Sequence, residues 1–428
     1  MPAKRPVLDL SFPVPLSKRT RSHKIGGNIF SNDNDLQLIF DKLNKLGINL
    51  NKDNKKHLID PGSINGSGGH LVVKSLDDDE KQYHLKLVLN NDSITLEHKI
   101  SEIAYYKMYS KFKYGPEIYA VPHEGEIILC LEDANNPQAG EKSKFIDWKK
   151  IKETGHQSEI EKKLTNSKAD LYALEILTLI LATGDIFQKP DNYGVRIFGS
   201  DDKTTAIPFV VDLLPPPHKA HLTFFGKIGA SKYCKDSKNS QNYSELIANL
   251  LLKSFDPEDN QRQENEIQDF HVFEFFKDGI RGYEIEDLKG GLNIILNDEF
   301  DKKINQAFHE SLNHLDDYCS EDEKKEAKTI IDERKNFILS VARELRKHPE
   351  IKDVMSGEWN PVKYPQTGKK VEVVKRVLPP GAGVEFFPSP QRVTSVRSPG
   401  SSPFPSNVDV TWPGAKDFKE EGRSPSPR

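Results

Sequence analysis

Thr183-Gly184-Asp185-Ile186-Phe187-Gln188-Lys189-Pro190-Asp191-Asn192-Tyr193-Gly194-Val195 is the stretch on which the reading of this 428-residue chain turns. Before it, Leu171, Leu174, Ile176, Leu177, Leu179, Ile180 and Leu181 give a segment apolar almost all round, which predicts a core helix. After it, Tyr193 to Phe198 and Ala206 to Val211 flank the turn residues Gly199-Ser200-Asp201-Asp202 and predict a β-hairpin. The hairpin runs into Asp212, and Pro215-Pro216-Pro217 follow. A carboxylate at the end of an apolar strand is costly to bury unless it is paired or metal-bound, so Asp212 stands out.

Towards the N-terminus, Leu36, Ile39, Phe40, Leu43 and Leu46 fall at helical spacing, with Gly47 as a stop. Pro61 to Gly69 is a loop rich in residues that tolerate positive φ, among them Gly66, Gly68 and Gly69. His70 to Lys74 and Tyr83 to Leu89 predict a hairpin across the turn Asp77-Asp78-Asp79. Ile94 to Phe112 predicts a helix with Ile100, Ile103, Ala104 and Met108 on one side, ended by Gly115-Pro116. Ile127 to Leu131 predicts a short buried strand entering Glu132-Asp133. Beyond the central hairpin the pattern is helical: Tyr243 to Phe255, Glu264 to Phe276, Phe300 to Leu315 and Glu321 to Arg346.

Taken singly, each polar residue has a plain reading. The glycines make a loop, and they are not a Walker A loop because no Gly-Lys-Ser/Thr follows. Lys86 in its strand can be a snorkelling lysine. Glu102 can be a helix charge with Glu97 as a rival, and Asn192 a turn residue. Their order is more specific: glycine loop, hairpin with an isolated Lys86, helix with Glu102, core helix, loop with Asp185 and Asn192, hairpin delivering Asp212.

In this order, and above all in Gly184-Asp185, Asp191 to Val195 and Val210-Val211-Asp212, the chain resembles the divergent protein-kinase-like superfamily over residues 60–345. The branch includes bacterial effector kinases, toxin kinases and type II phosphatidylinositol 4-kinases. The resemblance implies an α+β, two-lobed protein-kinase-like fold, with a small β-rich N-lobe, a helical C-lobe and a disordered C-terminal tail. The corresponding divisions are an irregular basic arm over 1–32, the N-lobe over 33–135, the C-lobe over 136–350 and the tail over 356–428. It further implies ATP and Mg2+ as cofactors, because phosphoryl transfer is catalysed mainly by positioning and charge neutralisation. On that basis Gly66, Gly68 and Gly69 would cradle phosphates, Lys86 would meet the α/β-phosphates and Glu102 would hold Lys86. Leu131 and Glu132 would form the hinge against adenine, Asp212 and Asn192 would bind metal, and Asp185 would accept or orient the acceptor's hydroxyl proton. Two departures stand out. Asp185 and Asn192 are seven positions apart, where the catalytic-loop pattern has about five. Leu213-Leu214-Pro215, not Phe-Gly, follows Asp212, and His-Arg-Asp and Ala-Pro-Glu are absent. A catalytically inactive nucleotide- or inositol-phosphate-binding scaffold is therefore the alternative to an active kinase.

Composition bounds the rest. With 61 Lys plus Arg against 65 Asp plus Glu, the net charge of −4 argues against a dedicated nucleic-acid binder. Hydrophobic residues make up 36%, below the roughly 45–50% of globular chains. That deficit points to the Pro- and Ser-rich tail, where only Val371 to Val377 suggests a strand. Ser389, Ser398, Ser402, Ser424 and Ser426 precede prolines, and Phe386-Phe387 and Trp412 could anchor a partner. Basic residues cluster at Lys18, Arg19, Arg21, His23 and Lys24, and again at His218, Lys219, His221, Lys227, Lys232, Lys235 and Lys238. The second stretch suits a phosphoinositide headgroup, an inositol phosphate or an acidic protein substrate. Three widely spaced cysteines and no run of about 18 apolar residues suggest a soluble protein of a reducing cytosol. The Lys/Asn-rich composition and Glu420-Glu421 suggest an effector translocated by a bacterium into a host cell.

Overall fold

The computed structural model describes residues 30, 32–59, 70–87, 96–123, 126–137, 141–155, 160, 162–164, 168–181, 190–199, 205–213, 238–253, 255, 284–313 and 321–360. All of them lie in one compact unit, Met1–Thr367; a second unit, Gly368–Arg428, contains none. The glycine loop, Asp185, the helix expected over 264–276, the basic residues from His218 to Lys235 and at 18–24, and the tail beyond Asn360 lie outside the described residues; Trp359, inside the expected tail, is described and packs edge-on against Phe255.

The first half builds one sheet. Helix α1 (Asp33–Lys45) is capped by Asn32, whose side chain accepts the Asn34 N–H, and stops before Gly47 at φ 84°. It leads into β1 (Leu50–Ile59), β2 (His70–Ser75) and β3 (Gln82–Leu87), then α2 (Leu96–Lys111), β4 (Ile118–His123) and β5 (Glu126–Glu132). The five strands form one antiparallel sheet in the order β1-β2-β3-β5-β4. Side chains alternate across the pleat. Leu71, Val73, Tyr83, Leu85, Leu87, Ile128 and Cys130 join Phe30, Leu36, Ile39, Phe40 and Leu43 in a core under α1. Phe30, within the stretch expected as an arm over 1–32, is thus packed.

The opposite face carries Ile118, Ala120, Ile127, Leu129 and Leu131 into a second, larger core shared with α2 and the helical region. Helix α2 is buried on more than the one side its aliphatic residues suggest: Ser101, Tyr105, Tyr106 and Tyr109 are also inaccessible. The reason is its position, between β4, α7 (Glu299–Leu312) and α8 (Glu321–Lys347). Lys107 and Lys111 both pair with Glu310 of α7 at 3.0 Å, and Tyr109 shares a 2.9 Å hydrogen bond with Thr178.

The second half is helical around a small sheet. It runs β6 (Ser143–Asp147), α3 (Trp148–Thr154), α4 (Lys168–Leu181), β7 (Tyr193–Phe198), β8 (Thr205–Val210), α5 (Lys238–Lys253) and α6 (Ile285–Ile295). Helices α7 and α8 and a last helix α9 (Pro349–Ser356) complete it. Every residue from Leu171 to Leu181 is buried, Glu175 and Thr178 included, as expected of a helix apolar almost all round. The sheet is antiparallel in the order β6-β7-β8. Gly194 allows its close approach, because a Cβ there would lie 2.1 Å from the Ile146 carbonyl oxygen. The architecture is α+β and two-lobed in the kinase-like manner: an antiparallel sheet with few helices, followed by a mainly helical region.

Candidate active site

The site begins with the pleat of β3. Tyr83, Leu85 and Leu87 point under α1, so Gln82, His84 and Lys86 share the other face. Lys86 stands opposite His70 of β2 and Leu129 of β5. The β7–β8 hairpin supplies the facing wall. Tyr193 pairs with Val210, so Asn192, just before the pair, and Asp212, two places after it, are brought together at one end of the ladder. The Asn192 carbonyl accepts the N–H groups of Val211 at 2.9 Å and of Asp212 at 3.4 Å. Two positions twenty residues apart in sequence thus become neighbours through hairpin geometry alone.

The two walls meet. Lys86 Nζ donates to Asp212 Oδ1 at 2.9 Å and lies 4.0 Å from Glu102 Oε1. Burial pulls the Lys86 ammonium down, but neighbouring Tyr106, Asp212 and Glu102 outweigh it, and the net direction is upward. Burial likewise raises the Tyr106 phenol well above its ordinary value, so the phenol is neutral near pH 7 and the Asp212 carboxylate, with Glu102 where it is ionised, holds the lysine charged. Glu102 is 3% exposed, and burial pushes it up to about 7, against the pull of Lys86. Its Oε1 has no hydrogen-bond partner among the described residues.

Sequence reasoning missed Tyr106. Its hydroxyl donates to Asp212 Oδ1 at 3.1 Å and accepts the Leu213 N–H at 3.0 Å. The available signal was its place four residues after Glu102, on the same helix face. It also missed a polar chain across the Lys86 face of the sheet. His70 Nε2 and His84 Nδ1 are 2.9 Å apart, and His84 Nε2 lies 2.5 Å from Asp133 Oδ2. Burial, His84 and Lys86 press His70 down to about 3, so it is neutral.

Leu131 and Glu132 end β5, and the connection after them is held in place. Asp133 N–H donates to Gln82 O, and the Asn136 side chain exchanges hydrogen bonds with the Gln82 backbone. Arg196, 2% exposed between the rings of Phe198 and Phe209, donates to Asn136 O. From Glu132 to Asn136 the N–H groups are engaged except that of Ala134, which has no partner among the described residues. Glu97, the rival to Glu102, has a side chain outside the described set.

The donor set around Asp212 suits a hard cation. Asp212 is one-third exposed at its side chain, and the Asn192 backbone carbonyl lies against its amide. No cluster of three or more His, Cys, Asp or Glu residues forms a metal site among the described residues. Mg2+ commonly binds through one or two protein oxygens and completes its shell with phosphates and water, so such a sparse set fits it. In the present arrangement the Lys86 ammonium supplies the positive charge at Asp212.

No family model matches the chain, and no curated protein does. Among solved structures it is similar to the Helicobacter pylori proinflammatory kinase CtkA, at 15% identity, over 65% of this chain and 94% of that one, with a TM-score of 0.34. A likeness that weak leaves the chemistry to be argued from the residues. Among the described residues no helix is long and apolar enough to cross a membrane.

Proposed function

We propose that the chain is an ATP- and Mg2+-dependent phosphotransferase of the kinase type, acting on a protein or a phosphoinositide. One observation carries the reading: Lys86 from β3 and Asp212 from just beyond β8 converge at 2.9 Å with the buried Glu102 carboxyl behind the lysine. A cation and a metal-binding carboxylate facing each other is what a polyphosphate bound with a metal ion needs.

Each residue then has a task. Lys86 leaves Asp212 and neutralises phosphate oxygens, while Glu102, already 4.0 Å away, keeps the ammonium in place. Asp212 and Asn192 would hold Mg2+, which when bound would screen the phosphate charges and orient the transferring group. The Ala134 amide is the backbone donor left for a base beside the Leu131–Glu132 strand end. Asp185 remains the proposed acceptor of the substrate hydroxyl proton, on the resemblance alone. The basic residues between His218 and Lys238 support an acceptor bearing phosphate or acidic groups.

The test is transfer of labelled γ-phosphate from ATP with Mg2+ to a panel of acidic proteins and phosphoinositide vesicles. Asp212→Ala is expected to abolish labelling that the parent performs. Equal transfer by parent and variant would overturn the assignment. Mg2+-dependent ATP binding by the parent with no transfer to any acceptor would favour a nucleotide-binding scaffold.

A further inference from the structure

We propose that the Tyr106 hydroxyl is a positioning group that clamps the Asp212-Leu213 segment and so sets the carboxylate of Asp212 for metal binding. The proposal rests on the phosphotransferase reading above for the metal, but the clamp itself is a matter of hydrogen bonds.

The residue after a metal-binding Asp sets where that carboxylate points, because rotation of one peptide unit swings the side chain. Here three consecutive amides are held. Val211 and Asp212 donate to the Asn192 carbonyl, and Leu213 donates to Tyr106 Oη. The first two belong to the hairpin itself. The third comes from α2, the helix that also carries Glu102. The same hydroxyl spends its proton on Asp212 Oδ1. One buried atom thus restrains both the backbone after Asp212 and one of its two carboxylate oxygens.

The donor and acceptor count supports this assignment. A phenol has one proton and accepts through its oxygen. An ionised carboxylate can only accept, and an amide N–H can only donate, so the polarity of both bonds is fixed without any choice of tautomer. An ordinary phenol, with a pKa of about 10, is protonated, and therefore a donor, across the pH range of ordinary assays. Tyr106 is inaccessible and α2 is anchored to α7 by Lys107, Lys111 and Glu310, so the hydroxyl is offered from a fixed support.

The clamp also accounts for the sequence after Asp212. A Gly two places later would let the segment rotate; this chain has Leu213-Leu214-Pro215. Leu213 is fully buried, and its amide is tied. The carboxylate is held by α2, not left to a mobile turn. A core tyrosine whose hydroxyl merely found a partner would satisfy one of these groups; this one engages the metal-binding side chain and the next amide together.

Tyr106→Phe removes only the hydroxyl. Groups that hydrogen-bond a metal ligand change metal affinity by roughly 10–100-fold when removed. Calorimetry of ATP binding in Mg2+ and in EDTA should therefore show Tyr106→Phe weakened by about tenfold in Mg2+ and within about twofold of the parent in EDTA. Equal losses in both conditions, or none in either, would overturn the positioning role. If the parent shows no Mg2+-dependent binding, the phosphotransferase reading falls, and with it the metal role of Tyr106. Amide exchange then decides the clamp alone: the Leu213 N–H should exchange at least about tenfold faster in Tyr106→Phe than in the parent. An unchanged rate would overturn it. Should Tyr106→Phe not fold, the parent answers: Leu213 protection equal to that of the β8 amides supports the clamp, and loop-like exchange refutes it.

Discussion

The two faces of the five-stranded sheet are made from the same strands and differ only in which alternate residue each receives. Under α1 lie Leu71, Val73, Tyr83, Leu85 and Leu87, a dry apolar layer. On the reverse, the same two strands present His70, Val72, Lys74, Gln82, His84 and Lys86, half-buried and mostly polar. The first face is complete once α1 covers it. The second holds a charged lysine and a chain of two histidines on an aspartate, and α2 sets beside the lysine a carboxyl raised to about 7. Such groups are costly to bury without partners, so the β2–β3 part of this face is organised for a charged ligand, while its β4–β5 part packs into the larger core.

Substitutions on the two faces should separate accordingly. The largest effect is expected from Lys86→Met, which removes the cation facing the phosphates; loss of one such electrostatic contact costs about 10²–10³-fold in turnover. Removing the lysine also leaves Asp212 and Glu102 without their cation, so turnover is compared on folded protein. A turnover within about threefold of the parent would break the contrast. On the α1 face, Leu85→Ala should destabilise by about 2–5 kcal/mol, because a fully buried leucine leaves a cavity. Denaturant titration would measure it, and the folded fraction should bind nucleotide with unchanged affinity.

Glu102 sharpens the contrast through pH. Its folded value of about 7 lies above the ordinary 4.5, so the folded state holds the proton more tightly than the unfolded one. Its contribution to stability is intact below about 4.5 and is lost as pH rises through 7. Glu102→Gln, which cannot ionise, should therefore gain stability relative to the parent between pH 5 and pH 8. Melting temperatures at both values check this, and a constant difference would contradict it. The smallest effect is expected at the rim of α2: Glu310→Gln loses partly exposed pairs with Lys107 and Lys111 and should cost no more than about 1 kcal/mol, less in high salt.

What the sequence disclosed follows the same division. Lys86 was legible as a lone cation between apolar neighbours, and Asp212 as a carboxylate closing an apolar strand. Their meeting needed only the order of elements between them. Strand β1 escaped notice because Leu50-Asn51-Lys52-Asp53-Asn54-Lys55-Lys56 lacks alternating hydrophobes, as suits a lysine-rich edge strand. Strand β4 is the other edge, and Pro122 within it argued against a strand. Tyr106 was hidden among Tyr105 and Tyr109, since nothing in a tyrosine-rich helix says which hydroxyl meets a charge. His70 and His84 required the β2–β3 register, which a one-residue slip would have undone.

The most direct test of the central claim is ATP binding by the parent, Lys86→Met and Leu85→Ala, each in Mg2+ and in EDTA. Parent binding that Mg2+ strengthens, an affinity roughly tenfold lower in Lys86→Met and an unchanged affinity for folded Leu85→Ala are the results expected of a phosphate site on the Lys86 face. Parent protein that ignores ATP, or binds it equally well without Lys86, would contradict the account.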